Sequence, residues 1–113
     1  MTSVDMTKPF SRIQTPWGAA QTAKEIRPGV VIVTTASHGG VRVTGDAKNK
    51  IPPAFRSPNG WYEEDCDWAI VAIEYVEDFA REMGVAPEKM RAAILRCLAT
   101  WNPGHPAVAE EAS

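Results

Sequence analysis

The chain has 113 residues, of which 44% are hydrophobic and 23% are charged, and its net charge at neutral pH is −2. A chain of this length and composition is expected to form one globular domain that buries roughly two-thirds of its unfolded surface. The small negative charge argues against the basic field of a nucleic-acid-binding or membrane-surface protein. The longest apolar run, Trp68 to Ile73, is too short to span a bilayer, and residues 1–10 lack a secretory apolar segment, so we expect a cytoplasmic protein.

Composition along the chain predicts three regions. Residues 1–15 are polar and are expected to form a flexible arm, residues 16–102 an α+β domain, and residues 103–113 a frayed tail. The two cysteines, Cys66 and Cys97, both fall within predicted helices and are too few for a disulfide framework. We therefore expect them to be reduced.

Strand patterns occupy the first half of the domain. Residues 30–36 (VVIVTTA) are β-branched at six of seven positions, which is the strongest strand signal, and residues 19–26 and 41–44 give weaker ones. The sequence Arg27-Pro28-Gly29-Val30 suits a type II turn, with proline second and glycine third. The sequence Ser37-His38-Gly39-Gly40 suits a second hairpin tip, where glycine supplies positive φ. The pattern predicts a three-stranded antiparallel meander.

Helical patterns occupy the second half. A connection rich in Pro, Gly and Lys spans residues 45–60, with one helical turn expected near residues 53–56. Apolar residues then recur at helical spacing over residues 63–83, which end at Gly84, and over residues 87–101, which begin with proline. Strands followed by helices indicate an α+β fold in which the meander packs against these two helices.

Four carboxylates are concentrated where the first helix is predicted to begin. Glu63, Glu64, Asp65 and Asp67 would lie in its first turn, where free N–H groups and the helix dipole favour negative charge. One or two acids would meet that need, so the excess suggests a surface for a basic partner. A hard cation bridging two of the carboxylates is a further alternative. The chain has no calcium-loop or zinc-ligand spacing, so neither a metal nor another cofactor is expected.

Aromatic residues and a histidine extend this candidate surface. Trp17 and Trp61 lie in Gly- and Pro-rich segments, where each either caps the core or anchors an interface, and Tyr62 precedes the acids. His38 is either an exposed hairpin residue or a functional imidazole. Cys66 near a helix N-terminus would have a lowered pKa and could pair with His38, but no cysteine-enzyme signature surrounds it.

Three blocks together resemble a family of small proteobacterial proteins carried on plasmids, phages and mobile islands: TPWGAAQ (15–21), PGVVIVTTASHGG (28–40) and WYEEDCDWAIVA (61–72). The resemblance covers about residues 15–80, and the family has no established reaction. By association with such genetic neighbourhoods it implies an inhibitor of host defence, of the anti-CRISPR or anti-restriction type. The matching positions, none with a catalytic role, are Trp17, His38, Gly39, Gly40, Trp61, Glu63, Glu64 and Asp65.

The favoured hypothesis is therefore a non-enzymatic inhibitor that occupies a basic, nucleic-acid-contacting surface of a host protein or ribonucleoprotein without binding nucleic acid itself. Its expected binding residues are Trp17, His38, Trp61, Tyr62, Glu63, Glu64, Asp65 and Asp67. The alternative is a small enzyme or metal-dependent module that uses His38 with Glu63, Glu64 and Asp65, and a homodimeric accessory domain is a third possibility. If His38 lies within shared-ligand reach of the acids in a concave pocket, the alternative is favoured.

Overall fold

The valine-rich segment forms an inner strand of a four-stranded antiparallel sheet in the computed structural model, which describes residues 14–36 and 38–112. The strands are β1 (Gln14–Thr15), β2 (Gly18–Ala19), β3 (Thr22–Arg27), β4 (Val30–Thr34), β5 (Gly39–Val43) and β6 (Trp61–Glu63). Strands β1 and β2 form a separate hairpin, and the larger sheet has the order β3-β4-β5-β6. The predicted α+β class is confirmed, and β6 is a fourth strand beyond the three that were expected.

The first predicted strand differs in detail from the structure, and the first predicted turn agrees with it. The expected strand at residues 19–26 is divided, because Ala19 ends β2 and β3 begins at Thr22. Gly29 has a φ of +85°, as the third position of a type II turn requires. The arm expected at residues 1–15 lies outside the described residues, except that Gln14 and Thr15 form β1.

Strand register assigns the valines to two faces. Val30 pairs with Val43, and Ile32 pairs with Val41, so these four side chains share the face that the helices cover. Val33 pairs with Gly40 on the opposite face. The helix-covered face holds the main core because it presents a branched side chain at each of these paired positions.

Four helices follow the sheet: α1 (Trp68–Ala72), α2 (Val76–Met83), α3 (Pro87–Trp101) and α4 (Pro106–Ala112). The predicted helix at residues 87–101 is confirmed, and the turn expected near 53–56 is a 3-10 helix over Pro53–Phe55. A second 3-10 segment spans Gly45–Lys50.

The single helix expected at residues 63–83 is wrong. Residues 61–63 pair with β5, residues 64–67 form a turn, and the rest is divided between α1 and α2. Between those helices the N–H groups of Glu74 and Tyr75 donate to carbonyls only three residues back, at 3.0 and 3.1 Å. The helical apolar spacing is preserved across this tightened turn, so sequence periodicity alone could not locate the break.

The C-terminal segment is also more ordered than the frayed tail expected at residues 103–113. It forms α4, and His105 and Ala107 are buried against the rest of the chain. Trp101, by contrast, is 59% exposed at the end of α3, although it follows the buried Ile94 and Leu98 at helical spacing. In the described residues, no helix has the length and apolar character needed to cross a lipid bilayer.

Candidate functional site

Gly39 and Gly40 lie in strand β5, and their lack of side chains leaves room for neighbouring groups of the candidate site. Neither is among the positive-φ glycines, so the expectation that they supply left-handed turn conformations is wrong. A Cβ at Gly40 would lie 2.5 Å from Cζ3 of Trp17 and 2.5 Å from the carbonyl oxygen of Tyr62. A Cβ at Gly39 would lie 2.8 Å from Oε2 of Glu64. Glycine is needed at both positions because a backbone carbonyl lies too close for a Cβ, that of Val33 at Gly39 and that of Tyr62 at Gly40.

The acidic residues are held at the end of an edge strand. Glu63 ends β6, the Glu64 N–H donates to the Gly39 carbonyl at 3.1 Å, and the Asp67 N–H donates to the Glu63 carbonyl at 2.9 Å. These bonds bring the turn at residues 64–67 against the start of β5. The acids therefore do not occupy the first turn of a long helix, and the helix dipole does not account for their number.

His38 lies among three of these carboxylates, and we call His38, Glu63, Glu64 and Asp65 the His38 cluster. Its Nε2 is 3.4 Å from Glu63 Oε1, and its Nδ1 is 3.7 Å from Glu64 Oε1 and 3.8 Å from Asp65 Oδ2. His38, Glu63 and Asp65 each offer a potential ligand atom, and these three atoms lie within 4.8 Å of one another. The residues come from two chain segments that the β5–β6 pairing brings together.

Backbone hydrogen bonds fix the position of His38. Its N–H donates to Oγ1 of Thr35 at 3.0 Å, and both the N–H and the hydroxyl of Thr35 donate to the His38 carbonyl, at 2.6 and 2.7 Å. His38 Nδ1 is shielded from solvent and has no hydrogen-bond partner in the described part of the chain. A buried imidazole nitrogen without a partner has lost its hydrogen bond to water and has gained none within the protein.

Two tryptophans form an aromatic border to the cluster. The Trp17 ring is 6.3 Å from the His38 ring and 5.7 Å from the Trp61 ring, which it meets edge to face. The guanidinium of Arg42 lies 5.3 Å from the centre of the Trp61 ring. Both tryptophans are half-buried, so each covers part of the sheet and leaves part of its ring accessible.

Two of the expected binding residues have side chains that are hydrogen-bonded within the protein. Tyr62 is buried because side chains alternate along β6, and its hydroxyl accepts a hydrogen bond from the Ser57 N–H at 2.9 Å. It cannot anchor a partner in this position. Asp67 is partly buried, and it accepts a hydrogen bond at 3.4 Å from the side chain of Asn102, the residue that follows α3.

The other acids remain accessible to water. The side chains of Glu64 and Asp65 are 50% and 66% exposed. Within residues 14–36 and 38–112, the ion pairs of Glu63, Glu64 and Asp65 are with His38, and the lysine and arginine pairs involve other acids. Three carboxylates around one imidazole leave an excess of negative charge, which favours a cationic ligand.

Cys66 does not have the activated thiol that a helix N-terminus would give. It lies in the turn before α1, and burial, reinforced by the charges of Asp67 and Glu63, raises its pKa to about 11. Burial also raises the pKa of Cys97. Both thiols are free, and neither has the lowered pKa of a catalytic cysteine.

Thr35 is the contributor that sequence reasoning missed. Its hydroxyl both accepts from the His38 N–H and donates to the His38 carbonyl. The available signal was a threonine three residues before the histidine, a spacing at which a hydroxyl can close a local turn. That signal predicts a turn. The pairing of β5 with β6 is what brings the acidic residues next to this turn.

Comparison with protein families gave one match. The model of a family described as "Domain of unknown function (DUF7007)" matches residues 11–112. Neither the curated proteins nor the solved structures gave a match.

Proposed function

The chain belongs to the family described as a domain of unknown function (DUF7007), and from the geometry of the His38 cluster we propose that it binds a divalent metal ion. The observation that carries the proposal is that His38, Glu63 and Asp65 offer three ligand atoms within 4.8 Å of one another. A site with imidazole and carboxylate ligands suits Mn²⁺, Fe²⁺ or Zn²⁺. Softer ions are selected by thiol-rich sites instead.

The distances in the cluster support an ion of this size. Metal–nitrogen and metal–oxygen bonds of about 2.1 Å at a tetrahedral angle separate two donors by about 3.4 Å. The distance from His38 Nε2 to Glu63 Oε1 is 3.4 Å. A modest rotation of the exposed Asp65 side chain would complete a three-residue set, and water would supply the remaining ligands.

Excess negative charge gives a second reason. The cluster combines three carboxylates with one imidazole, and within the described ranges no lysine or arginine neutralises them. A divalent ion bound between His38 Nε2 and Glu63 would relieve the mutual repulsion of the carboxylates. We assign no reaction to the ion.

Calorimetric titration of the purified protein with Mn²⁺ and with Zn²⁺ tests this proposal. We expect one ion per chain, and a loss of at least about tenfold in affinity, or about 1.4 kcal/mol, in His38→Ala and in Glu63→Gln. Asp46→Asn is the matched control, because it removes one negative charge from an exposed residue in the 3-10 segment Gly45–Lys50. Equal affinity in all four proteins, or no measurable binding of either ion, would refute the site.

An inhibitor of host defence is the second candidate, and the exposure of Glu64 and Asp65 favours it. These carboxylates could replace phosphates on a basic surface of a bacterial nucleic-acid-targeting complex, with the accessible part of Trp61 as an anchor. In this proposal the protein acts in the host cytoplasm by occupying that surface. It predicts an interaction that weakens as salt concentration rises.

A plasmid-transformation assay with two variants distinguishes the metal-binding function from inhibition of host defence. In cells with an active plasmid-targeting defence system, the wild-type chain would raise transformation efficiency, and Glu64→Lys/Asp65→Lys would abolish the gain while keeping a native circular dichroism spectrum. His38→Ala would weaken metal binding and leave the inhibition intact if surface charge alone is responsible. Undiminished inhibition by the charge-reversed chain would exclude this patch.

A further inference from the structure

An open cavity of about 410 Å³ lies where the sheet meets α1, α2 and α3. Its lining is mostly apolar and includes Ile32, Val41, Trp68, Phe79, Met83 and Met90. The volume falls within the ~300–1,000 Å³ typical of small-molecule sites. Met83 is 52% exposed, so flexible apolar surface extends from the cavity toward solvent.

One charged side chain borders this apolar space. Glu64 lines the cavity, and its carboxylate rests against the bare α-carbon of Gly39. Asp65 lies on the same turn and Glu63 directly precedes it, so the electrostatic potential at this end of the cavity is negative. Apolar walls with a carboxylate at one end complement a ligand that has an apolar body and a positive head.

We propose that this cavity binds a small aliphatic or aromatic amine. The hydrocarbon part packs among Trp68, Phe79 and the methionines, and the ammonium group meets the Glu64 carboxylate. A carboxylic acid of the same shape would be repelled by the same group. This site requires no metal ion and is therefore distinct from the proposed function, although Glu64 belongs to both surfaces.

The test compares hexylamine, hexanol and hexanoate in buffer that contains a metal chelator. Binding is followed by the NMR shifts of the Met83 and Met90 methyl groups, with the total tryptophan fluorescence as a second signal. We expect the wild-type protein to bind hexylamine at least tenfold more tightly than hexanol, and hexanoate more weakly than either. In Glu64→Gln the amine should bind no better than the alcohol, while the affinity for hexanol is unchanged.

Two further variants make the result decisive. Glu88→Gln removes an exposed carboxylate from the first turn of α3, away from the cavity, and should keep the preference for the amine. Met83→Lys, at an exposed position, should abolish hexylamine binding through charge repulsion. Equal affinities for amine and alcohol in the wild type, an amine preference that survives Glu64→Gln, or methyl shifts that do not respond would each overturn the proposal. Retained amine binding in His38→Ala would show that it is independent of the metal site.

Discussion

At the scale of single residues, the two glycines of β5 show how absent side chains shape this site. A Cβ at Gly39 would meet the Glu64 carboxylate, and one at Gly40 would meet the Trp17 ring and the Tyr62 carbonyl. Alanine at these positions would therefore prevent the close approach to β5 of the Tyr62 carbonyl, the Trp17 ring and the Glu64 carboxylate. Two consecutive glycines in the sequence indicate such an approach, but they do not identify the groups involved.

Gly40→Ala is predicted to destabilise the protein by about 1–3 kcal/mol, because the added methyl group overpacks against a ring and a backbone carbonyl. Gly104→Ala is the matched control, since nothing lies within 4 Å of a Cβ there and its φ is not positive. Urea denaturation of both variants measures the difference in the free energy of unfolding. Equal stability of the two variants would contradict the close packing of Trp17 on Gly40.

At the scale of elements, strand β6 determines where the acids lie. Trp61, Tyr62 and Glu63 pair with β5, so the chain is still extended at Glu63, where the first turn of a helix was predicted to begin. Isolated, the acidic segment is compatible with a helix N-terminus. The extended strand forms instead of the helix because β6 satisfies the backbone hydrogen-bonding groups of β5 and buries the Tyr62 ring.

The break between α1 and α2 is fixed by a contact with a distant segment. The Tyr75 hydroxyl donates to the Ala47 carbonyl at 2.8 Å, and the Arg27 guanidinium lies 4.7 Å from the centre of the Tyr75 ring. The apolar stripe of the helix pair therefore contains a tyrosine whose polar end reaches the 3-10 segment Gly45–Lys50. This contact joins the helical layer to the connection that follows β5.

Tyr75→Phe is predicted to lower the free energy of unfolding by about 0.5–1.5 kcal/mol, because it removes this hydrogen bond and keeps the ring. Thermal and urea denaturation measure the loss, and amide exchange at Gly45–Lys50 should quicken in the variant. A phenylalanine variant as stable as the wild type, with unchanged exchange in that segment, would show that the hydroxyl does not stabilise the break.

At the scale of the whole molecule, the C-terminal segment packs against the core. It was expected to be a frayed tail. His105 is 2% exposed, its ring is 4.9 Å from the Phe55 ring, and its Nδ1 accepts the Ala107 N–H at 3.1 Å. The imidazole thus acts as the cap of α4, and Nε2 is buried without a hydrogen-bond partner among the described residues. Burial lowers the pKa of His105, and the Glu110 charge opposes this effect.

The lowered pKa predicts a loss of stability in acid. As the pH falls below about 6.5, the unfolded chain binds a proton at His105 before the folded chain does, so the free energy of unfolding decreases. His105→Asn retains a side-chain acceptor for the cap and removes the titrating group. Urea denaturation from pH 7 to pH 5 should therefore show a smaller loss of stability in the variant. Parallel pH profiles for the two proteins would contradict the buried, neutral imidazole.

The sequence by itself determined the features that depend on local periodicity and turn chemistry. These are the α+β class, the strand centred on Val30–Thr34, the turn at Gly29 and the helix Pro87–Trp101. Each follows from side-chain spacing or from a backbone conformation that few residues adopt. The candidate residues His38, Glu63, Glu64 and Asp65 could also be named, because charge and residue type are local properties.

Only the tertiary structure decided where those residues meet. The pairing of β6 with β5 brings His38 within 3.4 Å of Glu63, and it buries Tyr62, which was expected to bind a partner. Long-range strand pairing and the docking of α4 depend on which surfaces compete for burial across the whole chain. A local pattern contains no information about that competition, because the same residues satisfy both an acidic helix start and an acidic strand end.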